Sequence, residues 1–347
     1  MQCIQASEVY TGRTVLKNQY VAFEGRTVAG VFPVRKGEVI GHCHTVTPAF
    51  IDAHSHIGTH RAGEPGAAGE ANEHMDTILA LSDVLDSIQM DDRSFRTATE
   101  LGVLYSCVLP GSLNLIGGRS AVIRHYSKNS TDALIARAGI KAALGWNPMT
   151  GFDKKGQRAN TRMGNLAILR QRYGEIRRKI ADQRKARGKK KDAIQFSDTE
   201  AVLRDLLLGR ERLRVHAHKI DDITALLRLV DEFKLRVSVE HAMDVDQPEI
   251  FAELRKRGIP VVYGPVDIFP SKVELLHSSW RNVRHLVHSG VNFGLMTDHP
   301  VVPAWNLFLQ TRWFLRAGLT PQQAAELVTR KNAEIIGIQD VLGTLEK

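Results

Sequence analysis

Four short apolar runs in this chain each end in histidine or aspartate, and that pattern narrows the folds open to it. The first, Val46-Thr47-Pro48-Ala49-Phe50-Ile51, leads into Asp52-Ala53-His54-Ser55-His56. The others are Val215-His216-Ala217-His218, Val239-Glu240-His241 and Met296-Thr297-Asp298-His299-Pro300. Residues two apart on a strand point to the same side, so His54 and His56 would present two imidazoles together. Two neutral imidazoles on a rigid strand make half of a metal site. A lone His-x-His pair is weak evidence, because such pairs also decorate surfaces. Three further runs ending in the same way strengthen it.

From residue 46 onward, apolar stretches alternate with helical ones, which predicts a parallel α/β arrangement. The strand candidates are 46–56, 102–109, 120–125, 139–144, 213–218, 235–241, 259–263 and 291–297. Asp221 is placed to cap a helix carrying Ile223, Leu226, Leu227, Val230 and Phe233 on one face. Asp246 with Pro248 opens another helix, and Thr320-Pro321-Gln322-Gln323 reads as a capping box. Eight such units predict a (β/α)8 TIM-like barrel over 46–340. An open doubly wound sheet is the alternative, but no glycine-rich dinucleotide turn follows the first strand. Residues 1–45 read as short β segments with turns at Glu24-Gly25 and Lys36-Gly37, a small separate domain. Active sites of a barrel lie where its strands end, so His54, His56, His216, His241 and Asp298 would meet at one mouth.

Composition sets the outer bounds. With 347 residues, 43% of them hydrophobic and 24% charged, the chain suits an ordinary globular protein. No apolar run reaches the 18 residues of a membrane span, and no secretory signal is evident at Met1-Gln2-Cys3-Ile4. Cys3, Cys43 and Cys107 are few and scattered, so no disulfide framework is expected and a reducing cytoplasm fits best. The formal charge of +9 is local, because residues 170–191 hold eleven Lys or Arg against two acids. Leading into and through that stretch, Leu166, Leu169, Tyr173, Ile176 and Ile180 mark an amphipathic helix. Its basic face is read as solvated. No aromatic stacking platform accompanies it, so nucleic-acid binding is not expected.

Together the segments 47–56, 215–218, 239–242 and 297–300 resemble the amidohydrolase superfamily, in its imidazolonepropionase-like branch. The loop Val108-Leu109-Pro110-Gly111-Ser112-Leu113-Asn114-Leu115-Ile116-Gly117-Gly118 is similar to one in uncharacterised members. The resemblance implies a hydrolase of C–N bonds other than ordinary peptide bonds, using one or two ions of zinc or a similar divalent metal. It implies His54, His56, His216 and Asp298 as metal ligands, with His241 either holding a second metal or steering the attacking water. Lys141 is the candidate for a carbamylated lysine bridging two metals. Asp298 would act as general base, and His218 or His241 would polarise the substrate carbonyl. The N-terminal strands would form a small β-sandwich. Residues 341–347 would begin a return to it that the chain leaves incomplete. A small-molecule substrate and a homo-oligomer are the partners implied.

Other residues carry plainer readings. His299 is read as support for its neighbours, and His74, His125, His277, His285 and His288 as ordinary. Arg119, Asn114 and Arg162 are read as solvated loop residues, with substrate contact the alternative. Glu70 and Glu73 lie in the long loop after the first barrel strand, where a lid is conceivable. Three competing activities stay open: a heterocycle deaminase, a two-metal dipeptidase-like enzyme, and a silent relative that only binds. Deaminases of this type add an acidic residue after the fifth strand, whereas this chain has Lys219-Ile220-Asp221.

Overall fold

The computed structural model describes residues 1–150, 158–187 and 194–346. The first sheet holds β1 (Gln2–Tyr10), β2 (Val15–Glu24), β3 (Thr27–Phe32) and β4 (Glu38–Val46), in the order β3-β2-β1-β4. β1 and β2 are antiparallel, with Ile4 opposite Val21, and β4 joins β1 in parallel. At Gly37, with φ 89°, a Cβ would lie 2.2 Å from the Met1 carbonyl oxygen, so only glycine fits. Ala6, Val9 and Val21 cluster with Leu345, whose N–H donates to the Thr11 carbonyl at 2.8 Å. The last described residues thus return to the first sheet, and Arg13 pairs with Glu346 at 2.8 Å.

Pro48 separates the two sheets. The run expected as one strand over 46–56 is split. β4 ends at Val46, and the first barrel strand, β5 (Phe50–Ser55), begins after Thr47-Pro48-Ala49. A proline has no N–H to give to a ladder, so the chain breaks there.

The second sheet is the expected eight-stranded barrel, in sequence order from β5 to β12. Its other strands are β6 (Val103–Val108), β7 (Ile116–Arg124), β8 (Leu134–Ala143), β9 (Leu213–Ala217), β10 (Val237–His241), β11 (Val261–Tyr263) and β12 (Phe293–Leu295). One detail departs from the alternation of parallel units. β7 is antiparallel to both β6 and β8. The connection from β6 to β7 spans only residues 109–115, and a parallel crossover needs a dozen or more. The short link therefore makes a hairpin, and β8 resumes the parallel direction toward β9.

The barrel is drawn shut between β5 and β12. Asp298 N–H donates to the His54 carbonyl at 3.0 Å and His56 N–H to the His299 carbonyl at 2.9 Å. Lower in the seam, the buried Asn332 amide donates to the carbonyls of Ile51 (2.5 Å) and Leu295 (2.8 Å) and accepts from Leu295 N–H at 2.9 Å. Gly294 leaves room for it, since a Cβ there would meet Asn332 Oδ1 at 1.9 Å.

Helices cover the outside. The amphipathic stretch is the helix Arg162–Lys185, capped by Thr161, with Leu166, Leu169, Tyr173 and Ile176 buried. Its basic face is partly paired, Arg170 with Glu232 at 2.9 Å and Lys179 with Glu200 at 2.6 Å. The basic residues at 189–191 lie outside the described residues. Thr320 forms the expected capping box. Asp221 is not a cap. The helix Ile220–Phe233 starts after Lys219, placing Asp221 in the first turn, where its charge still favours the helix dipole. Among the described residues no helix is long and apolar enough to cross a membrane.

The seam gives a direct test. Asn332→Leu would strand two buried carbonyls and one N–H, and the loss of stability should be about 2–4 kcal/mol by urea unfolding. A change below about 0.5 kcal/mol would show that the seam does not depend on this amide.

Candidate metal centre

At the C-terminal end of the parallel strands, buried imidazoles from three strands come together. His54 is on β5 and His56 one residue past it; His216 is on β9 and His218 just past it; His241 ends β10. Ring centroids are 4.4 Å apart for His216 and His241, 4.5 Å for His218 and His241, and 5.0 Å for His54 and His241. Asp298 follows β12, with Oδ1 at 3.1 Å from His56 Nε2 and 3.5 Å from His54 Nε2. Lys141, fully buried on β8, brings Nζ to 3.2 Å from His54 Nε2. Thus His54, His56, Lys141, His216, His218, His241 and Asp298 meet here, Lys141 coming from the strand after the reversed one.

The outer nitrogens of three rings decide what the inner ones can do. His241 Nδ1 lies 2.9 Å from the Gly264 carbonyl oxygen, and His56 Nδ1 lies 2.7 Å from that of Leu109. A carbonyl only accepts, so each Nδ1 carries the proton and each Nε2 is left with a lone pair. His54 Nδ1 donates to Glu240 at 2.9 Å, with the same outcome. Three lone pairs and the Asp298 carboxylate therefore face a shared space. Acceptors so placed repel one another unless a proton or cation lies among them.

Electrostatics agree with the geometry. Burial, then the nearby Lys141 charge, pushes His54 down to about 3, despite Glu240. His241 and His218 sit well below the ordinary histidine value, by burial and then by their neighbouring rings. These three rings are neutral at pH 7, the form a metal requires. Burial alone would raise Asp298, but its surroundings, the nearby Lys141 charge among them, outweigh it and hold it below the usual carboxylate range. Burial pushes Lys141 down to about 8, against the pull of Asp298 and Glu240.

The backbone is strained at the same place. His241 has φ 82°, Ala242 φ 54° and Asp298 φ 52°. Left-handed conformations cost a residue with a Cβ about 1 kcal/mol or more and gather at functional sites. Hydrogen bonds hold them, from Ala242 N–H to the Ala217 carbonyl and from Asp298 N–H to the His54 carbonyl.

Several supporting residues were not singled out from the sequence. Glu240 accepts from His54, from Ser238 at 2.7 Å and from both arms of the Arg214 guanidinium at 3.0 and 2.9 Å. Burial would raise its pKa, but Arg214 and His54 hold it far below the usual range. Arg214 is the largest fully buried side chain, and it also donates to the Ala53 carbonyl. Its signal in the sequence is a cation two residues before His216, hence on the same side of β9. Asp52 accepts from the N–H groups of His54 and Thr297 and from the Thr297 hydroxyl, tying the segments of His54 and Asp298 together. Burial pushes it up to about 7. Ser112, in the loop quoted above, lies 3.1 Å from His216 Nδ1.

The remaining candidates fall elsewhere. Asn114 is buried rather than solvated, and ties the 73–76 loop by donating to the carbonyls of Glu73 and Asp76. Arg162 forks onto buried Asp222 at 2.6 and 3.2 Å, so it is not a free substrate contact. Arg119 is on β7 rather than in a loop. Glu70 accepts from Gln89, and Glu73 from its own loop's N–H groups. His125 is not an ordinary surface residue, being buried with Nε2 2.8 Å from Ser106. His299 accepts the Ala304 N–H through Nδ1 and borders a cavity of about 310 Å³ lined also by His60, Arg61 and Trp305.

Known proteins match this chain. The Amidohydrolase family model fits residues 45–347. The chain belongs to the amidohydrolase family. Amidohydrolase tasK of Hapsidospora irregularis is 24% identical over an alignment 325 residues long that covers 87% of this chain and 33% of that one. The chain thus spans about a third of the length of that curated relative. An amidohydrolase from Thermotoga maritima MSB8 superposes with a TM-score of 0.91 at 27% identity, over 100% of this chain and 91% of that one. A Xaa-Pro dipeptidase with bound methionine shares the fold at TM-score 0.58 and 13% identity, over 100% and 91% of the two chains. So does atrazine chlorohydrolase TrzN from Arthrobacter aurescens TC1, complexed with zinc, at TM-score 0.54 and 15% identity, over 100% and 85%. The family is a metal-dependent hydrolase family, and the cluster could hold such a metal.

The Glu240 network is testable apart from activity. Glu240→Gln leaves the buried Arg214 without its counter-charge, and stability should fall by about 3–5 kcal/mol in urea. A loss under about 1 kcal/mol would mean that the guanidinium is balanced in some other way.

Proposed function

We propose that the chain hydrolyses a non-peptide C–N bond, in a cyclic amide, amidine or N-acyl compound, with water activated at a divalent metal centre. The observation that carries this reading is the set of Nε2 lone pairs on His54, His56 and His241, converging with Asp298 inside the barrel mouth. Nitrogen donors with one carboxylate suit zinc or a similar ion. The buried His241 Nε2 and His218 Nδ1, which have no hydrogen-bond partner among the described residues, fit a site built for such an ion.

Two groups could each hold a cation: His54, His241 and Asp298, and His216, His218 and His241. His56 adds to the first through its contact with Asp298. His241 has only Nε2 free and so serves one ion; His54, His56 and Asp298 remain for one cation and His216 with His218 for another, which favours two ions and an amidase or dipeptidase over a one-metal deaminase. Lys141 lies beside His54, and burial, by pushing it down to about 8, raises the share of the neutral amine that carbamylation needs. When bound, the ions act as Lewis acids and bring the pKa of a coordinated water toward about 7.

This chain's residues then divide the work. Asp298 takes a proton from the attacking water and passes it to the leaving nitrogen as the C–N bond breaks. Of the two rings considered for polarising the substrate carbonyl, His241 has no Nε2 proton to give, because its proton is on Nδ1. That role falls to His218, stacked on His241 at 4.5 Å, through the nitrogen that keeps its proton while the other faces a cation. Arg214 and Glu240 keep His54 turned inward.

The test is elemental analysis of purified protein, with a hydrolysis screen of cyclic amides and N-acyl amino acids against Xaa-Pro dipeptides. About two equivalents of divalent metal and turnover of the first two classes are expected. Asp298→Asn should lower kcat by about 10²–10⁴-fold with the fold kept by circular dichroism, and His54→Ala should lose metal as well. Full activity in both variants would discard the mechanism. Turnover of the dipeptides alone would move the reading to the peptidase type.

A further inference from the structure

We propose that Glu274 is a ligand of the second cation, joining His216 and His218, the two rings its Oε1 approaches. The inference rests on the mouth being a two-metal centre, as read above. Glu274 sits on a single 3-10 turn, Val273–Leu275, in the segment between β11 and the helix Val283–Ser289. Burial there is inverted. Val273 is 64% exposed and Leu276 75%, while Glu274 is 0% exposed. A local chain that leaves apolar side chains in water to bring a carboxylate inside needs a strong internal partner for it.

The partners on view fall short of that. Oε2 accepts the Trp146 N–H at 3.0 Å. Oε1 has His216 Nε2 at 3.3 Å, Lys272 Nζ at 3.7 Å and His218 Nε2 at 3.8 Å. All three exceed the usual N–H···O spacing of about 2.9 Å. Atoms each about 2.0–2.1 Å from one tetrahedral zinc lie about 3.3 Å from one another, so the His216 spacing is that of two ligands of one ion. The site is also built from behind. Gly145 has φ 84°, and a Cβ there would come within 3.0 Å of Glu274 Oε2 and 2.8 Å of Asp222 Oδ2. Only a glycine lets the chain end of β8 close against this carboxylate. As a ligand, Glu274 would fasten the 264–282 segment over the mouth when the second ion binds.

The experiment is a zinc(II) titration of the full chain after chelator treatment, wild type beside Glu274→Gln, with folding checked by circular dichroism. Wild type should take two equivalents. The variant should keep the tight one and lose the other, or bind it more than about 100-fold more weakly, beyond the 10–100-fold typical of an outer hydrogen-bond partner. Should the glutamine variant not fold, Glu274→Asp carries the test, since it keeps the charge and shortens the reach. Two equivalents at unchanged affinity in the variant would overturn the assignment. One equivalent in both proteins would also overturn it and leave the first cation standing, whereas no binding by wild type would remove the metal centre itself.

Discussion

The centre depends on protons placed away from it. His241 gives its Nδ1 proton to the Gly264 carbonyl, His56 to Leu109 and His54 to Glu240. Each outer bond fixes a tautomer, and only then do the inner nitrogens become donors to a cation. The His54 bond is the costliest to maintain, because its acceptor is an ionised carboxylate within the barrel. Arg214 makes that tolerable by forking onto Glu240. Burial of this pair is weak evidence for stability as such. Its effect is to orient a ring, and the ring orients the site.

The reversed strand has a related consequence. Because β6 and β7 form a hairpin, the 109–115 loop rises at the mouth instead of running away into a helix. That loop supplies the Leu109 carbonyl to His56 and the Ser112 hydroxyl to His216. A parallel unit in this place would carry the chain down the outside of the barrel, and both rings would need other anchors. The seam between β5 and β12 works alongside it, since the backbone bonds that close the barrel also set the spacing between His54, His56 and Asp298.

Much of this was legible in the linear chain because it follows short-range rules. Side chains alternate along a strand, so His54 with His56 could be read as a pair, and apolar runs ending in polar residues marked strand ends at one face. The Thr320 capping box and the apolar stripe of the helix Arg162–Lys185 are likewise local. What escaped was non-local. Glu240 was visible beside His241, but nothing in the order of residues shows that it reaches His54 from 186 positions away. Glu274 lies in a stretch with no periodic pattern and is buried against the local trend. Asn114 and Arg162 were read as solvated because loops usually are, yet each is held by partners distant in sequence.

By itself the sequence determined the class of chain: an eight-stranded barrel with an N-terminal sheet, histidines and an aspartate at its strand ends, and hence the family. The tertiary structure alone decided which nitrogen of each ring faces inward, which strand runs backward, and that a second carboxylate enters the mouth. The reason is physical. Strand and helix patterns arise from neighbours along the chain, whereas a tautomer or a buried charge is set by whichever atoms the fold brings within about 3 Å.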